Sequence, residues 1–318
     1  MTRAGNASKV GPLGGDAARL DHFLQTTSRT FALTIPLLRE PTRSEVTVAY
    51  LLFRVADTLE DSTRWMRSRK LAELEGLARF LEDPAAGDAA GLARRWSEDP
   101  PVEHAGYVEL LSEFPVVMRA ARGLSPGAWR LIAAHTARTC RAMASFVDRE
   151  EDGVLRLGKV DDLKAYCYAV AGIVGELLTE LFLIGHVGLR RIAPGMRRDA
   201  SVFGEGLQLV NIIKDRRTDA TEGRHYLPRG IHGATVFELA RRDLQAAARY
   251  CIRLERAGAD RGLIAFTTLP VLLARATLDR LERLGAGAKL RRDEVAEIVG
   301  QLHAALDRGA VRGLLASV

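Results

Sequence analysis

Two stretches of this 318-residue chain pair aspartates four residues apart: Asp57 with Asp61, and Asp215 with Asp219. On a helix such carboxylates are neighbours, with about 5–6 Å between their Cβ atoms. Tyr50, Arg54, Asp57 and Asp61 share one stripe at the 3.6-residue period, as do Gln208, Asn211, Asp215 and Asp219. The remaining faces are apolar: Leu51, Leu52, Phe53, Val55 and Leu59 in the first, Leu207, Leu209, Val210, Ile212 and Ile213 in the second. A polar stripe on an apolar helix is costly unless something satisfies it. Hard dications take oxygen ligands, and Mg²⁺ typically uses one or two carboxylates plus substrate phosphates. Either pair alone is most often a solvated face or a salt-bridge ladder. Two pairs with cations beside them (Arg54; Lys214, Arg216, Arg217) read as a cavity mouth that grips a metal-bridged diphosphate. Metals and basic groups there would stabilise a departing diphosphate. The expected chemistry is ionisation of an allylic diphosphate to a carbocation.

Such a cation needs an apolar wall that excludes water. Residues 165–183 supply one, with Tyr166, Val170, Val174, Leu177, Leu178 and Leu181 on a helical stripe. Gly172 and Gly175 lie within it, although each weakens a helix by about 1 kcal/mol relative to Ala. They mark a close approach, either of a ligand or of another helix. Tyr166 could steady a cation through its ring or handle a proton at its hydroxyl; a buried structural tyrosine is the alternative. Arg29, after Ser28, could grip a phosphate bidentately or merely end a helix. Arg224 follows the second acidic segment and is placed to close over a diphosphate. His225 has no partner at metal-site spacing and reads as surface.

These residues need long helices to hold them. Helical periodicity is expected over 16–27, 41–62, 66–82, 104–121, 125–148, 160–188, 196–221, 234–257, 260–282 and 291–313, with no convincing strand. Residues 1–15 read as a flexible tail and 83–103 as a surface excursion. No linker divides the chain, so 16–318 is expected to be one all-α domain of about ten helices. Hydrophobic residues at 47% and charged residues at 27% exclude a disordered chain. Lys plus Arg total 46 against 40 Asp plus Glu, a net +6. Aromatics at 6% without a basic motif argue against nucleic-acid binding. Cys140, Cys167 and Cys251 are too few and too scattered for a disulfide framework or zinc site, which suits a reducing cytoplasm. The N-terminus carries no apolar signal segment. The apolar run 169–189 contains Glu176, Glu180 and His186, so a buried helix is expected there, not a transmembrane segment.

Five segments together resemble the squalene/phytoene synthase family of head-to-head prenyl transferases, from about Asp21 to Leu281. They are Ser28-Arg-Thr-Phe-Ala32, Arg54-Val-Ala-Asp-Thr-Leu-Glu-Asp61, Tyr166-Cys-Tyr-Ala-Val-Ala-Gly-Ile-Val-Gly175, Gln208-Leu-Val-Asn-Ile-Ile-Lys-Asp215 and Gly223-Arg-His-Tyr-Leu-Pro228. The resemblance implies an isoprenoid synthase fold around a central hydrophobic cavity. It implies that Asp57, Asp61, Asn211, Asp215 and Asp219 hold Mg²⁺ and two diphosphates. Ser28, Arg29, Arg54 and Lys214 would contact diphosphate, as Arg224 is placed to do, while Gln208 and Tyr166 would line the reaction pocket beside the Val170, Val174 and Leu178 wall. The implied reaction joins two molecules of farnesyl diphosphate into presqualene diphosphate. NADPH then gives squalene; without it, a dehydrosqualene or phytoene type product forms.

The pattern Asp57-Thr-Leu-Glu-Asp61 resembles the squalene synthase version, whereas phytoene synthases more often have an acid at the position of Thr58. Phe266, Pro270, Ala274, Ala276, Thr277 and Leu278 resemble a squalene synthase segment in which Val271 replaces a usual Gln. Val170 to Thr179 also resembles the bacterial dehydrosqualene synthases. Thr218 stands where the family usually has an acid, which would weaken one metal site or alter the second half-reaction. A presqualene diphosphate synthase of a split pathway and, less favoured, a class I terpene cyclase are the alternatives. No anchor of the eukaryotic kind is expected after the last helix. A monomer is favoured, with the arginine pairs 190–191, 197–198 and 291–292 leaving loose association with an anionic membrane as a further expectation.

Overall fold

Breakers and caps cut the chain into helices. Ser125 accepts from the Ala128 amide at 3.2 Å with Pro126 in the first turn, and Asp260 accepts from the Leu263 amide at 3.0 Å; both are N-terminal caps. The computed structural model describes residues 14–28, 30–85, 87–231 and 233–316. The helices are α1 (Ala17–Thr27), α2 (Phe31–Thr34), α3 (Thr42–Glu60), α4 (Arg67–Glu82), α5 (Ala89–Glu98), α6 (Ala105–Ser112), α7 (Phe114–Arg122) and α8 (Pro126–Val147). They continue with α9 (Val160–Cys167), α10 (Ile173–Gly185), α11 (Ala193–Thr221), α12 (Gly233–Arg256), α13 (Arg261–Leu284), α14 (Arg292–Asp307) and α15 (Val311–Ala316). Of the expected tail, residues 1–13 lie outside the described residues, and Gly14–Asp16 form a single 3₁₀ turn before α1.

The all-α expectation holds, but the described residues form fifteen helices in place of about ten. Residues 83–103 are no mere excursion, because α5 lies in them and buries Trp96. The Trp96 indole donates to Glu73 at 2.9 Å and packs edge-on against Phe114 with centroids 5.3 Å apart. Those partners are remote in sequence, so local periodicity does not reveal α5. The expected helix 104–121 breaks before Phe114, where Pro115 opens α7. One small β pair also departs from the expectation: Leu155–Arg156 (β1) pairs in parallel with Arg224–His225 (β2). Two residues are too few to show alternation.

The expected helix 160–188 is divided by a wide π-helical turn, Tyr168–Gly172, between α9 and α10. Here the hydrogen bonds run i to i+5, inserting a residue and rotating α9 by about 100° relative to α10. Buried side chains form a main cluster and a second one around Tyr166, Leu209, Tyr226 and Leu278, with Val170 packed against both. Two helical stretches, Val160–Gly185 and Arg261–Leu284, are long and apolar enough to cross a membrane. Both are packed centrally here, at least half buried within the protein, and both line its cavity.

Candidate active site

Helices α3 and α11 build the site in the same way. Along α3, Val46, Ala49, Tyr50 and Phe53 line a cavity of about 260 Å³, and the stripe then turns polar at Arg54 and Asp57. Along α11, Ala200, Phe203, Gly204 and Leu207 line the same cavity, and their stripe turns polar at Gln208 and Asn211. Each lining stripe covers eleven residue steps, about 16 Å of helix. One turn further on stand Asp61 and Asp215, then Asp219. Val170, Val174, Leu177 and Leu178 of the expected wall line the cavity as well, joined by Phe31, Ile35, Phe182 and Phe266. Pro270, inside α13, also lines it; having no N–H, it leaves the Phe266 carbonyl without its helical donor.

The cations sit among the acids. Arg54 Nη1 lies 3.4 Å from Asp57, and its guanidinium stands over the rings of Tyr50 and Tyr107 at 5.7 and 5.4 Å. Burial works against the Arg54 charge, yet Asp57 and the two tyrosines hold its pKa above the ordinary value. Its Nε–H is buried with no hydrogen-bond partner, an unanswered donor at the mouth. Lys214 donates to Asn211 Oδ1 at 3.1 Å and pairs with Asp215 at 3.2 Å. Arg224, carried by β2, donates to the Asp61 carboxylate and to Glu222, and so ties the second acidic segment's loop to the first acidic helix.

The two acidic segments face each other across this mouth. Burial pushes Asp219 up to about 6 against the pull of Arg224, with Asp215 on its own helix and Asp61 on α3 both adding to the rise. Burial, opposed by Arg54 and reinforced by Asp61, pushes Asp57 up to about 6. Carboxylates crowded beyond what the arginines relieve are what a hard dication would satisfy. The donors are carboxylates and one amide oxygen, which fits Mg²⁺ better than a softer metal. Among the described residues, no three His, Cys, Asp or Glu side chains form a closed cage. Divided acids suit a cation that completes its shell with ligand oxygens.

Three expected residues fall elsewhere. Tyr166 does not line the cavity: it sits in the second cluster, stacked on Tyr226 at 4.5 Å, its hydroxyl donating to Tyr226 at 2.9 Å and reaching Glu60 at 3.3 Å. The wide turn at 168–172 moves it off the stripe that holds Val170 and Val174. Leu181 likewise is not among the lining residues. Ser28 accepts from the Phe31 amide at 2.9 Å, a helix-starting contact. Arg29 lies outside the described residues. Gly175 and Gly204 settle which close approach the glycines mark. A Cβ on Gly175 would come 2.0 Å from the Ala200 carbonyl oxygen, and one on Gly204 would come 2.0 Å from that of Ala171. The neighbour is α11, packed backbone to backbone on the start of α10.

Sequence reasoning assigns no role to Glu60, Tyr226, Phe203 or Tyr250. Glu60 and Tyr226 lie inside the motif segments, and for Glu60 an acid directly after the apolar Leu59, three residues beyond Asp57, is the available signal. Burial, then the nearby Asp61, raises the Glu60 pKa well above the ordinary range. Tyr250 and Thr179, hydroxyls 2.9 Å apart, close one side of the cavity, with the Phe203 ring edge-on to Tyr250 at 5.4 Å. Only packing brings those together.

The family model described as squalene/phytoene synthase matches residues 24–296. The chain is 30% identical over 216 residues to a squalene synthase of Candida albicans, covering 68% of this chain and 46% of that protein. It is 30% identical over 221 residues to the Botryococcus squalene synthase of Botryococcus braunii, covering 69% and 44%. The chain thus matches about half the length of these curated relatives. Among solved structures, TcSQS bound to the ligand E5700 superposes with a TM-score of 0.73 at 26% identity, covering 95% of this chain and 89% of that one. A dehydrosqualene synthase superposes with a TM-score of 0.58 at 20% identity, covering 92% and 97%, which speaks to the fold alone. The architecture is the isoprenoid synthase fold, and the chain belongs to the squalene/phytoene synthase family.

Proposed function

We propose that the protein joins two molecules of farnesyl diphosphate head to head through presqualene diphosphate, and that NADPH reduction then gives squalene. The observation that carries this reading is the pair of stripes on α3 and α11, apolar inside the cavity and acidic at its mouth. Arg54, Lys214 and Arg224 bind diphosphate oxygens, and the free Arg54 Nε–H is one donor available for them. Asp57, Asp61, Asn211, Asp215 and Asp219 are the residues that would hold Mg²⁺, whose charge would stabilise the leaving diphosphate.

As the carbon–oxygen bond of the first substrate breaks, its electron pair leaves with the diphosphate. The allylic cation stays between Phe53, Val174, Leu178 and Leu207, where water is excluded. The double bond of the second substrate attacks it, and loss of one proton closes the cyclopropane of presqualene diphosphate. Gln208, one turn inside Asn211 on the same stripe, is the polar side chain that meets the reacting carbons at the boundary of the apolar wall. Tyr166, one packing layer away, holds its place through Tyr226 and Glu60. The described residues form no strand–glycine-loop–helix dinucleotide unit, so no residue is assigned to NADPH and no step is derived through it.

The test is product analysis by gas chromatography–mass spectrometry after incubation with farnesyl diphosphate and Mg²⁺, with and without NADPH. Squalene with NADPH is expected. An absence of any thirty-carbon product under every condition would refute the reading, and a cyclic fifteen-carbon product would make it a cyclase. Asp57→Ala and Asp215→Ala should each abolish turnover while the fold is retained.

A further inference from the structure

Four of the exposed large hydrophobic side chains gather at one end of the bundle: Leu33 (55% exposed), Leu37 (37%), Ile184 (46%) and Val187 (65%). Contacts tie the two segments that carry them. The Leu37 carbonyl abuts Gly262, where a Cβ would come within 1.9 Å, and Gly185 abuts the Thr42 hydroxyl. Asp260, beside Gly262, lies 3.6 Å from His186.

The charges around this face are one-sided. Arg39, Arg190, Arg191 and Arg256 are exposed. Among the described residues none of them has a carboxylate within ion-pair distance, and Arg191 donates only to the Ala257 carbonyl at 3.0 Å. The nearby acids are engaged elsewhere. Glu40 accepts from Ser44, Asp260 caps α13, and Glu255 accepts from the Val311 and Arg312 amides. The other arginine pairs in the chain contrast with this: Arg197 is taken by Glu180 at 2.6 Å, Arg198 by Asp199 at 3.4 Å and Arg291 by Asp293 at 2.9 Å. Of the three pairs singled out by the sequence, 190–191 is the one in which neither arginine meets a carboxylate among the described residues; in 291–292 only Arg292 is left without one.

This face is also the outer skin of the cavity. Phe31 and Ile35 line the cavity from the segment that exposes Leu33 and Leu37, and Phe182 lines it two residues before Ile184. Val46, at this end of α3, is about 16 Å of helix from Asp57 at the mouth. We propose that this end of the bundle docks on an anionic bilayer. Leu33, Leu37, Ile184 and Val187 enter the interface, and Arg39, Arg190, Arg191 and Arg256 meet lipid phosphates. Charged substrate then enters from water at the acidic mouth, and a hydrocarbon product has one layer of side chains between the cavity and lipid. The exit route rests on the proposed reaction; the docking does not.

Vesicle co-sedimentation of the full chain without substrate tests it, comparing phosphatidylcholine alone with phosphatidylcholine containing about one third phosphatidylglycerol. Binding should be about tenfold or more tighter on the anionic vesicles and should fall with salt. The double variants Ile184→Ser/Val187→Ser and Arg190→Glu/Arg191→Glu should each weaken it about tenfold, with turnover in detergent micelles unchanged. Failure of the wild-type chain to bind, or binding that survives both double variants, would overturn the proposal. So would a dimer that these substitutions dissolve, which would assign the face to a second copy of the chain. Vesicle binding without any turnover would instead refute the functional reading and leave the docking surface standing.

Discussion

Gly204→Ala adds one methyl group where α11 meets the start of α10, and the structure sets its cost. The new Cβ would lie 2.0 Å from the Ala171 carbonyl oxygen, 2.6 Å from its carbonyl carbon and 3.1 Å from the Gly172 nitrogen. Ordinary contact begins at 3.4 Å, and the obstructing atoms are backbone, so the helices must part by about 1.4 Å along that contact. Overpacking of this kind typically costs about 1–3 kcal/mol, against about 1 kcal/mol gained in helix propensity. The net cost is about 1 kcal/mol, and with a midpoint shift of about 2–4 °C per kcal/mol for a large domain a fall of about 3 °C is expected. Activity should suffer more than stability. Gly204 and Ala171 both line the cavity, so separation carries Gln208 and Asn211 away from Val170 and Val174. A misplacement of about 1 Å can cost about a hundredfold in rate. Thermal and urea unfolding, with steady-state kinetics on farnesyl diphosphate, measure both effects. Gly76→Ala in α4 is the control: nothing lies within 4 Å of its Cβ position, so it should stabilise by about 0.5–1 kcal/mol and leave kinetics alone. A Gly204→Ala protein with wild-type midpoint and rate would refute the close-packing argument.

Phe203→Ala removes the ring that packs on Tyr250 and should raise the kcat/KM ratio of a twenty-carbon over a fifteen-carbon diphosphate by about tenfold or more; an unchanged ratio in competition assays would place the length limit elsewhere. Glu45 is buried in the first turn of α3, with one carboxylate oxygen lacking a partner, and burial, then Glu40, raises its pKa. A raised acid pKa in the folded state means that the penalty is absent below the unfolded value near pH 4 and grows as pH rises through the folded value. Glu45→Gln should therefore match wild type in urea unfolding at pH 4 and exceed it by about 1–2 kcal/mol at pH 8. Burial pushes the Cys251 thiol up to about 12 and those of Cys140 and Cys167 higher still, so none should react with a thiol reagent at pH 8 until the chain is unfolded.

Legibility in the sequence depends on where helical phase is preserved. α3 and α11 run unbroken through their motifs, so residues four apart in the chain are neighbours in space, and both polar stripes are legible down to Arg54, Asp57, Gln208 and Asn211. Between α9 and α10 phase is not preserved. The wide turn at 168–172 changes no residue type, yet it sends Tyr166 into a neighbouring cluster while Val170, Val174 and Leu178 keep the wall. Periodicity counted across such a turn is correct on one side and rotated on the other. The glycines are legible as a close approach but not as an approach to α11, because the partner carbonyls of Ala171 and Ala200 have no signature of their own. Phe203, Tyr250 and Thr179 meet only once α10, α11 and α12 pack. The parts that would perform charge chemistry are therefore local and legible, and the parts that would decide how long a chain fits are tertiary. This is also why five short motifs identify the family, while the chain-length limit that Phe203→Ala tests would rest on a contact between rings that lie 47 residues apart in the chain.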